Sequence, residues 1–417
     1  MKYLNKEQLK EITDRCFLCK NPRCTAHCPI STPIPEAIKL FREDKIEEAG
    51  ELLFKNNPLS AVCGIVCPHE KTCYGNCIRA IKEDGVKFYE LEKFISKKYL
   101  ESLKLKKNES LDSNIAIIGS GPAGIALSLI LAEKGHKVTI FEVHEKIGGV
   151  LRYGIPEFRL PRNILDELEN RLTELNVKIR YNTLVGPVIT LDKLLEDGYD
   201  AVFIGTGVWN PKPLNIKGET LGNVHYAIDY LKEPRSFKLG NKVLVIGAGN
   251  VAMDAARTAK YYGSEDVRIV YRKDFKHMPA INEEISEAKE EGVEFELFKA
   301  PLEIKEEGLL VVTTKLDINE EGKEVWTNVE DSEELLTADN VIIAVSQGPR
   351  RNIVANTDNL QVNKWGNILT DENGRTTRNG VFASGDVVTG AKTVVEAVAD
   401  AKKVAESIHT YCLNKKK

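Results

Sequence analysis

Apolar residues change their spacing along this 417-residue chain. Up to about residue 105 they recur at helical intervals. Ile38, Phe41, Ile46, Ala49, Leu52 and Leu53 fall on one face of the stretch 35–55, and 88–105 repeats the pattern. Residues 101–114 are polar and lysine-rich and read as a linker. From Asn114 onward, short and almost purely apolar runs alternate with helical patterns, which predicts parallel strands crossed by helices. A last helix is expected from about Thr393, where Thr393 and Glu396 have the spacing of a capping box.

Two of the apolar runs end in glycine turns of one kind. The first is Gly119-Ser-Gly121-Pro122-Ala123-Gly124, followed by an apolar helix, a second strand and Glu142. In such a Rossmann-type unit the first glycine allows the tight turn and the second lets backbone approach a pyrophosphate. The third lets helix and strand pack closely, and the acid accepts from a ribose hydroxyl. The helix N-terminus adds N–H donors and partial positive charge. The second turn is Gly247-Ala-Gly249-Asn250-Val251-Ala252. The strand 199–204 ends in Gly205-Thr-Gly207, and 339–348 has the same texture. The pattern is therefore α/β, with one nucleotide-binding domain inserted in another behind a helical segment. The expected limits are 1–110 for the helical domain, 111–210 with 338–417 for the outer nucleotide domain, and 211–337 for the insert.

Composition and charge exclude some classes. Net charge is −4, with 42% hydrophobic and 29% charged residues, so no basic footprint for nucleic acid is present. The apolar runs are too short for a bilayer span and the first residues carry no apolar stretch, so no membrane partner and a cytoplasmic location are expected. Lys415, Lys416 and Lys417 read as a solvated tail.

Eight of the nine cysteines crowd between Cys16 and Cys77; Cys412 reads as an ordinary thiol. The spacings are Cys16-x2-Cys19-x4-Cys24-x3-Cys28-Pro29 and Cys63-x3-Cys67-x5-Cys73-x3-Cys77, with Pro68 after Cys67. Short spacings with Cys-Pro steps point to ferredoxin-type iron–sulfur ligation, and eight thiolates suit two [4Fe–4S] clusters. Two structural zinc sites are the competing reading. No cysteine lies between Ile78 and Tyr411, so the nucleotide domains hold no dithiol for disulfide chemistry.

These motifs, with the string from Gly148 to Pro161 and Lys392-Thr-Val-Val-Glu-Ala397, resemble the glutamate synthase small-subunit family of FAD/[4Fe–4S] NAD(P)H oxidoreductases over nearly the whole chain. The chain also resembles the bacterial FAD subunit of dihydropyrimidine dehydrogenase and the large subunit of NADH-dependent ferredoxin–NADP oxidoreductase. The resemblance implies two disulfide-reductase-type nucleotide domains. It also implies hydride transfer from NAD(P)H to FAD, then single electrons through two clusters to a catalytic partner subunit, FMN-containing or ferredoxin-like. FAD contacts would fall to Gly119, Gly121, Pro122, Ala123, Gly124, Glu142, Gly149, Arg152, Gly207, Gly385, Asp386 and Thr393. No catalytic residue is expected beyond the flavin. Cys16, Cys19, Cys24 and Cys77 would hold one cluster. Cys28, Cys67 and Cys73 would hold the other, with Glu92 as fourth ligand and Cys63 as its rival. A ferredoxin-linked NAD(P) oxidoreductase subunit and a non-catalytic, cofactor-containing scaffold are the alternatives.

Coenzyme choice rests on the strand 267–273. An NAD site places an acid at its end; here Arg272 and Lys273 stand there and Asp274 follows. Gly247, Gly249, Asn250, Val251, Ala252, Arg272 and Lys273 are therefore expected to bind NADPH in preference to NADH.

Overall fold

The computed structural model describes residues 3–103 and 108–415 and divides into two compact units. Part of the expected linker (104–107) and two residues of the expected lysine tail (416–417) lie outside the described residues. The first unit comprises Met1–Arg152, Glu157–Val208 and Gly348–Lys417; the second comprises Tyr153–Pro156 and Trp209–Gln347.

The first unit opens with helices Lys6–Asp14, Ile34–Arg42, Ile46–Asn56, Ser60–Val66 and Phe88–Ser102. The apolar face expected along 35–55 is present but belongs to two helices. Asp44, with φ +61°, takes the left-handed conformation that ends the first, and Lys45 N–H closes on Leu40 O at 2.9 Å. Folding the chain back there stacks Ile38, Phe41, Ala49 and Leu53 against Leu91 and Ile95 in one core. The last helix runs into the expected linker as far as Ser102.

A parallel sheet follows, in the order Val381–Ala383, Ala201–Ile204, Asn114–Ile118, Lys137–Phe141, Lys178–Arg180. Its central strands are buried on both faces, which explains their unbroken apolar texture. The helix Pro122–Glu133 is buried nearly all round, between the helices Val394–Lys415 and Arg162–Glu174.

The second unit carries its own parallel sheet, ordered Val224–Tyr226, Asn340–Ile343, Lys242–Ile246, Asp266–Tyr271, Glu294–Leu297. An antiparallel sheet of Lys299–Lys305, Gly308–Ile318 and Glu324–Thr337 adjoins it in sequence. The sequence reading assigns 338 onward to the outer domain. That boundary is corrected here, because Asn340–Ile343 pairs with Val224–Tyr226 and Lys242–Ile246 and so belongs to the second unit. A buried apolar strand has the same composition in either sheet, so texture alone could not allocate it.

Candidate functional site

The first glycine turn forms an open cradle. Gly119 has φ +94°, and a Cβ there would stand 2.7 Å from Gly205 O. A Cβ on Gly124 would stand 2.0 Å from Gly119 O, so helix and turn touch. Gly121 differs: nothing lies within 4 Å of its Cβ position, and it precedes a helix whose N-terminus has no side-chain cap. Pro122 and Ala123 open that helix. Free N–H donors facing empty space at a glycine are what a pyrophosphate requires, so the residues fit a bound dinucleotide.

Around the cradle, Glu142 is 2% exposed. Its Oε2 accepts from Ser120 N at 2.9 Å and from the Ser120 hydroxyl; its Oε1 accepts from His144 N at 3.0 Å and lies 2.9 Å from His144 Nδ1. Burial alone would raise its pKa, but the His144 and Ser120 hydrogen bonds outweigh it and hold the carboxyl below its ordinary range. Gly149, φ +51°, lies against the turn, where a Cβ would stand 2.8 Å from Gly121 Cα. Arg152 anchors this loop, donating to Ile147 O at 2.8 Å and pairing with Asp166 at 2.6 Å. Gly207 follows the Ala201–Ile204 strand with φ +67°.

Gly385, φ +73°, joins three elements: its Cβ position is 3.4 Å from Ala123 Cβ and 3.8 Å from Ala397 Cβ. The first turns of Pro122–Glu133 and Val394–Lys415 thus converge beside it. Asp386 accepts from Lys392 N at 3.1 Å, and burial pushes its carboxyl up to about 6. Thr393 and Glu396 form the reciprocal cap, with Thr393 N donating to Glu396 at 3.0 Å and Glu396 N donating to Thr393 Oγ1 at 3.3 Å.

In the second unit Gly247, φ +130°, packs where a Cβ would stand 2.4 Å from Ala344 O, whereas Gly249 again has nothing within 4 Å. Asn250 and Val251 start an uncapped helix and Ala252 is fully buried in its first turn. Arg272 is exposed at the end of Asp266–Tyr271, its carbonyl held by the Thr314 hydroxyl at 2.6 Å, and Lys273 is half-buried beside it. Asp274 turns to His277, accepting from its N at 3.1 Å and lying 2.5 Å from its Nδ1. Those hydrogen bonds keep the Asp274 carboxyl below its ordinary range.

The thiols fall into two groups. Cys16, Cys19, Cys24 and Cys77 are half-buried, and the Cys16 and Cys24 thiols each feel Cys77. Burial drives Cys24 up to about 11. Cys28, Cys63, Cys67, Cys73, Glu92 and Val395 line one small cavity. Burial there pushes Cys73 up to about 12, with repulsion from Glu92 and Cys28 next; Cys67 is raised by the Cys63 hydrogen bond, then by burial. Glu92, 6% exposed and with no side-chain hydrogen bond or ion pair among the described residues, is pushed up to about 8 by burial. Raised this far, Cys67, Cys73 and Glu92 stay protonated at neutral pH and become anionic ligands only where bound positive charge compensates their burial. Four thiols and a carboxyl lining one space are the donor chemistry of an iron–sulfur cluster, so the residues fit one. Among the described residues no three His, Cys, Asp or Glu side chains converge tightly enough to hold a single ion.

Sequence reasoning missed Ser120 and His144, whose pairing with Glu142 depends on the fold. It also missed His69, which lines the cavity, lies 3.1 Å from Cys63 O, and stacks on Tyr89 at 4.2 Å. Burial pushes His69 down to about 4, so it is neutral. Its place in Cys67-Pro-His69 was the available signal.

Comparison with known proteins matches residues 113–401 to the pyridine nucleotide-disulphide oxidoreductases and residues 1–103 to dihydropyrimidine dehydrogenase domain II, 4Fe-4S cluster. The glutamate synthase [NADPH] small chain of Escherichia coli K12 is 33% identical, over 96% of this chain and 91% of its own length. The NAD-dependent dihydropyrimidine dehydrogenase subunit PreT of the same strain is also 33% identical, over 95% and 92%. Among solved structures, FprA of Mycobacterium tuberculosis in complex with NADPH aligns with a TM-score of 0.62 at 19% identity, over 73% of this chain and 85% of that one. Thioredoxin reductase of T. acidophilum aligns at 0.55 and 22%, over 72% and 99%. Both share the fold of the nucleotide-binding region.

Proposed function

This chain belongs to the glutamate synthase small-subunit family of FAD- and NAD(P)H-dependent iron–sulfur oxidoreductases, and from that premise we propose that it is the electron-input subunit of a larger enzyme. FAD would take a hydride from NADPH and two [4Fe–4S] clusters would carry the electrons singly to a catalytic partner subunit of the glutamate synthase or dihydropyrimidine dehydrogenase type. One observation carries this reading: Val395, in the helix turn that meets Ala123 at Gly385, also lines the thiol cavity. One helix turn therefore reaches from the thiol cavity, at Val395, to Gly385 beside Ala123 of the cradle's helix.

The chain's residues divide the work. The Gly121 cradle and the Pro122–Glu133 N-terminus would bind the FAD pyrophosphate, with Glu142 on its ribose. Asp386 would hold the ribityl–phosphate region, and the N-terminus at Thr393 would stabilise negative charge at the pyrimidine end of the ring. Cys16, Cys19, Cys24 and Cys77 would hold the outer cluster. Cys28, Cys67, Cys73 and Glu92 would hold the inner one. Among the described residues no helix is long and apolar enough to cross a membrane. Protein prepared without oxygen should contain about eight irons and eight acid-labile sulfides per chain. Stoichiometric zinc with negligible sulfide would reject the clusters.

The insert would bind NADPH, with Arg272 and Lys273 reading the 2′-phosphate. The engagement of Asp274 by His277 supports this, because an acid free to bind the 2′-hydroxyl would favour NADH. Arg272→Ala should raise KM for NADPH by roughly 5- to 150-fold, equivalent to about 1–3 kcal/mol for one charge-assisted phosphate contact. KM for NADH should barely change. Equal weakening of both coenzymes in steady-state assays would remove Arg272 from the phosphate site.

A further inference from the structure

Four thiols and a carboxyl, besides the His69 imidazole that lies against Cys63 O, face a cavity in which four ligands would suffice for a cluster. Two of them come from helices pressed together at one point. A Cβ on Gly64, in Ser60–Val66, would stand 2.8 Å from the backbone nitrogen of Lys93, in Phe88–Ser102. Cys63 and Glu92 are the residues immediately before these contact points, and both line the cavity. They are buried, at 2% and 6% exposure. Glu92 has no side-chain hydrogen bond or ion pair among the described residues, and the Cys63 thiol meets the Cys67 thiol one helical turn on.

Resting on the reading in which Cys28, Cys67, Cys73 and Glu92 hold a cluster here, we propose that Cys63 is a reserve ligand, placed to take the iron that Glu92 releases. The exchange breaks one Fe–O bond and the Cys63 S–H bond and forms one Fe–S bond. The thiol proton passes to the departing carboxylate, so the cavity keeps its net charge. Ligand identity sets a cluster's potential, and a thiolate gives iron more electron density than a carboxylate. The inner site thus has two settings, with the lower potential belonging to the Cys63-bound form. No charged group needs to move in from outside the cavity.

The test uses the full chain, prepared without oxygen, as wild type, Glu92→Ala, Cys63→Ser and the double variant. Iron and sulfide are counted, and paramagnetic resonance spectra are recorded in the oxidised and reduced states. Cys63→Ser should keep all its iron and its wild-type spectrum. Glu92→Ala should also keep its iron, with the thiol proton lost to water, but with an altered spectrum and a lower midpoint potential for one cluster. The double variant should lose about one iron per chain and show the oxidised signal of a three-iron cluster. A three-iron signal already present in Glu92→Ala, or a double variant that keeps all its iron, overturns the reserve role. Iron loss from Cys63→Ser alone would make Cys63 the resident ligand, and iron-free wild type would sink the cluster reading itself.

Discussion

Gly121→Val should yield a chain that folds almost normally and purifies without FAD. Gly121 has φ −71° and ψ −172°, extended backbone that valine adopts without strain, and beyond its own chain neighbours nothing among the described residues lies within 4 Å of its Cβ position. The space is free for a side chain, and that side chain would stand where the pyrophosphate must approach. Each charge-assisted hydrogen bond lost from phosphate costs about 1.5–3 kcal/mol. Displacing two would weaken FAD binding by roughly 10²- to 10⁴-fold. Gly124→Ala should do the opposite. Its Cβ would stand 2.0 Å from Gly119 O, so the helix must move away from the turn, and overpacking of this kind costs about 1–3 kcal/mol or more. Thermal unfolding of the flavin-free proteins separates the two, because bound FAD would itself add stability. Flavin per chain after gel filtration supplies the other measurement. Stoichiometric FAD in Gly121→Val would mean that the pyrophosphate does not lie over this turn.

Local signals were legible where a short run of sequence had to satisfy a local constraint. Gly119 and Gly247 need positive φ, Gly121 and Gly249 need empty space, and Thr393 with Glu396 closes its own cap; each leaves its mark within a few residues. The parallel strands were legible because burial on both faces permits little but apolar side chains. What escaped depends on distant partners. The break at Asp44 sits inside a continuous helical pattern, and only the packing of Ile46–Asn56 back onto the core reveals it. The antiparallel sheet was obscured because much of Glu324–Thr337 is exposed and charged, so alternation is weak. At the candidate site, cysteine spacing gave the type of chemistry. That Cys63 and Glu92 line one cavity depends on the Gly64–Lys93 contact, between residues far apart in sequence.

Cys73→Ser should separate flavin reduction from electron delivery. Cys73 is 8% exposed, lines the cavity with Cys28 and Glu92, and lies outside the Ser60–Val66 helix that carries Cys63. Serine keeps the volume but is a poor iron ligand at neutral pH, so the inner cluster should be lost or converted. The dinucleotide cradle at Gly121 and the coenzyme residues of the second unit are untouched by the change. Bleaching of the flavin by NADPH, followed by stopped flow, should therefore stay within about twofold of wild type, since no group near either nucleotide is altered. Delivery to the catalytic partner should fall by at least the roughly 10- to 100-fold seen when merely a supporting residue of a metal site is removed. A dithiol relay beside the flavin is not available as an outlet, because no cysteine lies between Ile78 and Tyr411. Should bleaching vanish while FAD remains bound, the inner thiols cannot stand downstream of the flavin. Should delivery persist at the wild-type rate, electrons leave the flavin without passing the inner thiols.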